Sequence, residues 1–347
     1  KLCFLISTKS NEYKNITIVL GNESCDLDSV VSSIVYATYL NWKNTSDNNI
    51  LEELFIPVLD VDREDLPLKT EVAFCLNKDL PEYINFEQLV NIKKVRIILV
   101  DHHILSEKFV FLVQYVQDIF DHRPLDNKKW SYNENVVHKI EIVVYLGSCA
   151  TLIGQKIKDS DENDFFITYP QCAKLLHNVI ILDTVNFSKE VNKAIPLDEQ
   201  IVLYLENVLN PVDSEERKTL LDDLLRARSD VSNLTPSQLL RKDLKIFNGV
   251  LVPSFPILVK DFLQKPNALE SVKEALRLRK CTIALLLGMD LREGLRRDGL
   301  VLSLEEKKGE EVRVFFMIFC LFVQTTNTCC TLQYRGLSSI SKTKLYF

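Results

Sequence analysis

The chain has 347 residues, 46% hydrophobic and 26% charged, with a formal net charge of −6. That is the composition of a globular protein of about two domains, and the acidic balance argues against a general nucleic-acid binder. No apolar run is long enough to span a bilayer, and the nine glycines form neither a G-x-x-x-x-G-K-[ST] loop nor a G-x-G-x-x-G fingerprint. The nine cysteines include the adjacent Cys329 and Cys330 but no Cys-x-x-Cys pair, so they read as reduced thiols of a cytoplasmic protein. The chain starts at Lys1, and its first residues are too short for a signal peptide. It reads as a fragment or a trimmed isoform.

Asn15 to Leu20 is expected to form a first buried strand. The loop Gly21 to Ser29 leads into a helix with Val31, Ile34, Val35, Thr38 and Tyr39 near helical spacing. Asp28 or Ser29 is its expected N-cap. Leu54 to Leu59 predicts a second strand, and Asp60 and Asp62 behind it read as a solvated loop. Glu71 to Leu76 predicts a third strand. The fourth, Val95 to Val100, is mostly β-branched or Leu and runs directly into Asp101-His102-His103. The fifth, Tyr115 to Phe120, runs into Asp121-His122-Arg123-Pro124. The sixth is Lys139 to Tyr145, after which Gly147 to Thr151 opens a helix. Pro170 starts another helix that ends at Asp183. His177 within it reads as a packed core histidine, and His138 as structural.

Strands alternating with helices predict an α/β fold, a doubly wound parallel sheet over residues 1–190. Residues 191–232 are polar and helical and read as a linker region. Thr235 and Pro236 then have the chemistry of an N-cap and a first helical residue, and the helix is expected to run through Arg241 to Lys245. Strand-like Gly249 to Pro253, a charged helix over Asp261 to Arg279, and strands at Cys281 to Leu287 and Val312 to Phe319 complete a smaller α/β domain over 233–347.

Asp26, Asp28, Asp101, Asp121, His122 and Asp183 all fall at the ends of expected elements, where open α/β sheets collect reactive groups. Several carboxylates with one imidazole form a ligand set for Mg²⁺ or Mn²⁺. Gathered at one edge, these acids would repel one another without cations. Two ions would resolve that repulsion, activate water and clamp an in-line phosphoryl transfer. Lys and Arg of the second domain would hold phosphate oxygens. The competing reading is that the acids are scattered caps and loop charges.

These motifs resemble, in order, those of the DHH phosphoesterases, with a DHHA2 domain following. The blocks Asn22 to Ser29, Asp101-His102-His103, Asp121-His122-Arg123 and Ile181 to Thr184 carry the resemblance. Gly147-Ser148-Cys149-Ala150-Thr151 and Leu240-Arg241-Lys242-Asp243 bring it nearest to the animal Prune proteins, which are related to the family II inorganic pyrophosphatases. The resemblance implies a short-chain exopolyphosphatase with two metal ions. It implies that Asp101 bridges the ions, that Asp28, His122 and Asp183 complete one site, and that Asp26 with Asn22 or water completes the other. It assigns substrate contacts to His102, His103, Arg123, Lys245 and Lys342, and catalysis to Asp28, Asp101 and Arg123.

The chain departs from the pyrophosphatase pattern in three places. Asn22 replaces a metal-binding His, which favours Mg²⁺ over Mn²⁺. Arg123 replaces a substrate-contacting His. Ser341-Lys342-Thr343-Lys344 stands for the family's Ser-Arg-Lys-Lys, and the domain is shorter at its end. The resemblance also implies a nucleoside diphosphate kinase as partner, and neither nucleic acid nor membrane. Two alternatives remain: a cyclic-nucleotide or other phosphodiesterase of the same superfamily, and an interaction protein with weak turnover. The oligonucleotide-cutting branch carries a Gly-Gly-Gly-His element that this chain lacks.

Overall fold

The computed structural model describes residue 13 and residues 15–46, 53–62, 64–76, 94–126, 139–160, 164–209, 214–290, 296–303 and 330–336. The chain divides into two compact units, Lys1–Arg63 with Glu71–Arg228, and Glu64–Thr70 with Ser229–Phe347.

The first unit is built on a five-stranded parallel sheet. Its strands are β1 (Asn15–Leu20), β2 (Glu53–Val58), β3 (Lys94–Val100), β4 (Val116–Asp121) and β5 (Lys139–Ile142), in the order β2-β1-β3-β4-β5. Parallel strands need crossovers, and the helices that supply them cover the sheet, so the strands are apolar on both faces. Ile16, Ile18, Leu20, Ile97, Leu99 and Ile119 face one side with Leu105, Leu112 and Val116. Val19, Ile98, Val100 and Phe120 face the other, against the helices α1 (Leu27–Ser46), α3 (Cys149–Asp159), α5 (Pro170–Asp183) and α6 (Pro196–Leu209). Register brings Leu20 beside Leu99, and Val100 beside Phe120. The carboxyl ends of β1, β3 and β4 therefore open on one edge. The chain goes from β1 to one side for β2 and to the other for β3, so the β1–β3 gap is the switch point where such sheets bind ligands.

Residues 71–76 are not the strand expected from sequence: Thr70–Cys75 is a helix, α2. Val72, Cys75 and Leu76 pack on the core at spacings of three and four, while Phe74 is exposed. That is helical periodicity, which over six residues also looks like alternation. The sixth predicted strand stops at Ile142, and Tyr145 has a positive φ of 75°. The polar region 191–232 carries α6 and α7 (Ser214–Ser229), and both pack on the first unit through Ile201, Val202, Leu205 and Leu224. A further short helix, α4 (Asp164–Thr168), buries Phe165 and Phe166.

The second unit holds a mixed sheet of β6 (Leu244–Phe247), β7 (Val250–Phe255), β8 (Ile283–Asp290), β9 (Arg296–Ser303) and β10 (Cys330–Gly336), in the order β10-β9-β8-β7-β6. Leu239, Leu251, Phe255, Phe262, Val272, Leu276, Leu286 and Leu302 form its main core. Helix α8 (Pro236–Lys242) starts with a full capping box between Thr235 and Gln238. It ends at Lys242, so Lys245 lies on β6 and not on a helix as expected. The reason is a hairpin. Asn248 and Gly249 have φ of 48° and 77° and join β6 to β7, with two positive-φ residues in the manner of a type I′ turn. The expected helix 261–279 is two helices, α9 (Val259–Leu263) and α10 (Ala268–Leu278), broken at Pro266 and Asn267. The expected strand Val312 to Phe319 lies outside the described residues, as do His138 and Lys342.

Candidate metal centre

The turn after β1 is held by side chains. A Cβ at Gly21 would stand 2.4 Å from the Ser29 hydroxyl, so only glycine fits there. The Asn22 backbone N–H donates to that hydroxyl at 2.6 Å. Its side-chain Oδ1 accepts from Cys25 N at 3.0 Å and from Ser24 Oγ at 2.6 Å. Its Nδ2 donates across the switch point to Asp101 Oδ2 at 2.7 Å. Asp26, rather than Asp28 or Ser29, caps α1, with Oδ1 accepting from Ser29 N at 3.1 Å. Asp28 in the first turn is buried. Its Oδ2 accepts from Cys149 N at 2.7 Å and its Oδ1 from Ala150 N at 2.8 Å, both at the N-terminus of α3. A helix N-terminus favours such a negative charge.

Asp101 follows β3 with a positive φ of 61° and is fully buried. Asp tolerates this left-handed conformation better than most residues. Its Oδ1 accepts from Arg123 Nη1 at 2.8 Å and lies 3.2 Å from His122 Nε2. The same guanidinium also donates to the Asp101 carbonyl. His122 donates from Nδ1 to the Leu146 carbonyl at 2.8 Å, which fixes the ring and turns Nε2 towards the acids. Asp28 Oδ2 is 3.8 Å from that nitrogen. Asp28, Asp101 and His122 each present one ligand atom within 4.8 Å of the others.

The electrostatics of this cluster fit a cation. Burial, aided by the Asp28 charge, lifts the Asp101 carboxyl to about 7. Burial also raises Asp28, against the pull of His122. For His122 burial acts downwards, but the Asp101 bond and the Asp28 charge outweigh it and hold the imidazole at about 9. Dehydrated acids thus draw protons to themselves and to the histidine, and a divalent ion would replace those protons. Two carboxylates and one imidazole in a buried set suit Mg²⁺ or Mn²⁺.

The other expected residues are distributed unevenly around it. Asp183 ends α5, and burial, with the charges of Asp28 and Asp26, drives its carboxyl well up. Neither it nor Asp26 joins the three-residue cluster. His102 donates from Nδ1 to the Val100 carbonyl at 2.9 Å, and burial lowers its imidazole. His103 is buried, with Nδ1 on Asp121 Oδ2 at 2.5 Å and Nε2 accepting from Asp126 N at 3.0 Å. Both its ring nitrogens thus serve the fold. Asp121 in turn accepts from His122 N at 2.7 Å. Arg123 keeps 44% of its side chain exposed. Lys245 is exposed on β6 of the second unit. Sequence reasoning missed Leu146, which orients His122, and Asp198, which binds the Gly147 turn. A carbonyl has no sequence signature, and Asp198 looks like an ordinary acid in a helix's first turn.

Residues 222–337 match the DHHA2 domain model. The chain is 39% identical over 270 residues to the exopolyphosphatase PRUNE1 of Homo sapiens, covering 74% of this chain and 56% of that protein. It is 35% identical over 274 residues to the same protein of Bos taurus, covering 76% and 57%. The chain thus spans about half the length of the curated relatives it matches. Its fold is similar to the crystal structure of a Methanococcus jannaschii protein assigned as a family II inorganic pyrophosphatase, with a TM-score of 0.51, 21% identity, and coverage of 84% and 88%. The chain therefore carries a DHHA2 domain and is a relative of the Prune exopolyphosphatases, with the α/β fold of a family II inorganic pyrophosphatase.

Proposed function

We propose that this chain is a divalent-metal-dependent phosphoanhydride hydrolase that removes terminal phosphate from short-chain polyphosphate. The observation that carries the reading is the Asp28–Asp101–His122 cluster at the switch point of the parallel sheet. Those three residues would hold one Mg²⁺ or Mn²⁺, and Asp26 and Asp183 would serve a second. When bound, the cations supply charge neutralisation and Lewis-acid polarisation of phosphate.

The chain's own groups do the positioning. Asn22 and Arg123 grip Asp101 from two sides, so its carboxylate keeps one orientation. Leu146 holds the His122 ring so that Nε2 faces the acids. Arg123 uses Nη1 on Asp101, and the rest of its half-exposed fork suits phosphate oxygens. Lys245 and Lys342 of the second domain would add point charges to the substrate, and His102 would stand near it. Asn22 acts as an orienting donor, because its Oδ1 is already engaged by Ser24 and Cys25. The described thiols Cys75, Cys149, Cys172 and Cys281 are free, which suits a reducing cytoplasm.

The test is phosphate release from tripolyphosphate, tetraphosphate, pyrophosphate and cyclic AMP, each with Mg²⁺ and then Mn²⁺. Release from the short polyphosphates should require the added cation and vanish in Asp101→Ala. Turnover of cyclic AMP alone would instead assign a phosphodiesterase. No turnover of any substrate, with cation present, would overturn the hydrolase.

A further inference from the structure

Asp198 is a fully buried carboxylate outside the acid cluster, and its bonds lead directly to it. It occupies the first turn of α6, behind Pro196. Its Oδ2 accepts from Ile195 N at 2.8 Å, and its own N–H donates to the Ile195 carbonyl at 3.0 Å. This is the acid's half of a capping box. Its Oδ1 accepts from the Thr151 hydroxyl of α3 at 2.6 Å. Both oxygens accept from Gly147 N, at 3.2 and 3.0 Å. Its charge therefore faces the N-termini of two helices at once.

The Gly147 bond matters most. Gly147 N–H and the Leu146 carbonyl belong to one peptide unit. The N–H donates to Asp198, and the carbonyl accepts from His122 Nδ1 at 2.8 Å. A peptide unit is planar and stiff, so fixing one side of it fixes the other. An anion on the N–H also polarises the carbonyl and strengthens its bond to the imidazole. The same turn continues into Cys149 N and Ala150 N, which hold Asp28. It also touches the residue after Asp183, since a Cβ at Gly147 would stand 2.6 Å from Thr184 Cγ2.

We infer that Asp198 is a positioning residue for the metal centre, acting on His122 through the Leu146–Gly147 peptide and on Asp28 through the start of α3. This inference rests on the metal-dependent reading above. A ligating histidine commonly donates its other ring N–H directly to a carboxylate or a backbone carbonyl. Here it donates to the Leu146 carbonyl, and the carboxylate of Asp198 stands one peptide unit further back. Asp198→Asn keeps the shape but sets an amide N–H against backbone N–H donors.

Two measurements decide it. The first is Mn²⁺ affinity by calorimetry in the absence of substrate. Asp198→Asn should bind about 10- to 100-fold more weakly than wild type, the usual loss when a partner behind a ligand is removed. The second is amide exchange at Gly147 in metal-free protein, which should speed up at least about tenfold. Glu206→Gln serves as the control for general destabilisation. It breaks a buried network with His177 at 2.8 Å and Arg217 on α7, and should lower Tm without moving Mn²⁺ affinity. A folded Asp198→Asn that binds Mn²⁺ like wild type overturns the inference. If Asp198→Asn fails to fold, Thr151→Val removes one donor to the same carboxylate, and unchanged Mn²⁺ affinity there overturns it equally. Failure of the wild type itself to bind either Mn²⁺ or Mg²⁺ would refute the proposed function. The exchange rate at Gly147 would then decide the tether: faster exchange in Asp198→Asn supports it, and unchanged exchange overturns it.

Discussion

The Asn22 amide nitrogen donates to Asp101 Oδ2 at 2.7 Å, across the gap where the strand order of the sheet reverses. The carbonyl end of the same amide accepts from Cys25 N, a donor that fixes which end of the amide is which. Asn22 thus ties the loop after β1 to the residue after β3. On this geometry Asn22→His loses both the turn bond and the Asp101 bond. Activity should fall about tenfold or more with both Mg²⁺ and Mn²⁺, and the ratio of the two activities should stay unchanged. A clear move of preference towards Mn²⁺ in the mutant would show that position 22 is a metal ligand after all.

The cluster predicts an unusual dependence of stability on pH. Asp101 titrates at about 7 in the fold against 3.8 when unperturbed, and Asp28 is raised too. The folded state then holds more protons than the unfolded state, so stability falls as pH rises from about 4 to about 7. His122, at about 9 against 6.5, adds stability below 6.5 that is lost as pH rises through 9. Metal-free protein should therefore lose Tm steadily between pH 5 and pH 9. A divalent cation competes with those protons, so the Tm gain from Mg²⁺ or Mn²⁺ should grow over the same range. Thermal unfolding with and without cation at several pH values checks both slopes. A Tm gain independent of pH would separate cation binding from these acids.

His103 separates a fold residue from a substrate contact. Its Nδ1 meets Asp121 Oδ2 and its Nε2 receives Asp126 N–H, so removing the ring takes a partner from one oxygen of a buried carboxylate and from a backbone donor. His103→Ala should cost about 2–4 kcal/mol of stability. Below its Tm, the KM for tripolyphosphate should stay within about twofold of wild type. A rise in KM at unchanged Tm would return His103 to the substrate.

Much of this site is legible in the sequence because its chemistry sits at strand ends. Three apolar runs point to Gly21, Asp101 and Asp121, and register does the rest. Asp60, expected in a solvated loop, is instead buried, with Oδ2 accepting from Ser106 Oγ at 2.7 Å. Other contacts were hidden for physical reasons. Asp101 and Asn22 are 79 positions apart, and their bond depends on which strands are neighbours. The Leu146 carbonyl and the Asp198 carboxylate act through backbone groups, which every residue has. Residues 71–76 misled because a single turn and a half of amphipathic helix carries too few periods to tell 3.6 from 2. Asn248-Gly249, by contrast, was a clear hairpin signal. Recognising it would have placed Lys245 on a strand from the start.

Lys245 is the last expectation with a direct test. It stands exposed on β6, an edge strand of the second unit, opposite Val252 of β7. Its neighbours Ile246 and Phe247 are also exposed, so the strand presents a cation on an open surface. An exposed lysine contributes little to stability, so Lys245→Ala should leave Tm within about a degree of wild type. If it contacts substrate, its role is that of a point charge on a flexible stem. The KM for tripolyphosphate should rise several-fold, kcat should change less, and the difference between mutant and wild type should shrink as ionic strength rises. Lys245→Arg keeps the charge and should restore most of the lost affinity, which a merely structural role would not require. Mn²⁺ affinity without substrate should be unchanged, because the acids and His122 that would bind it belong to the first unit. Loss of Mn²⁺ from Lys245→Ala would mean that the second domain helps to hold the metal. Unchanged KM at low salt would remove Lys245 from the substrate site.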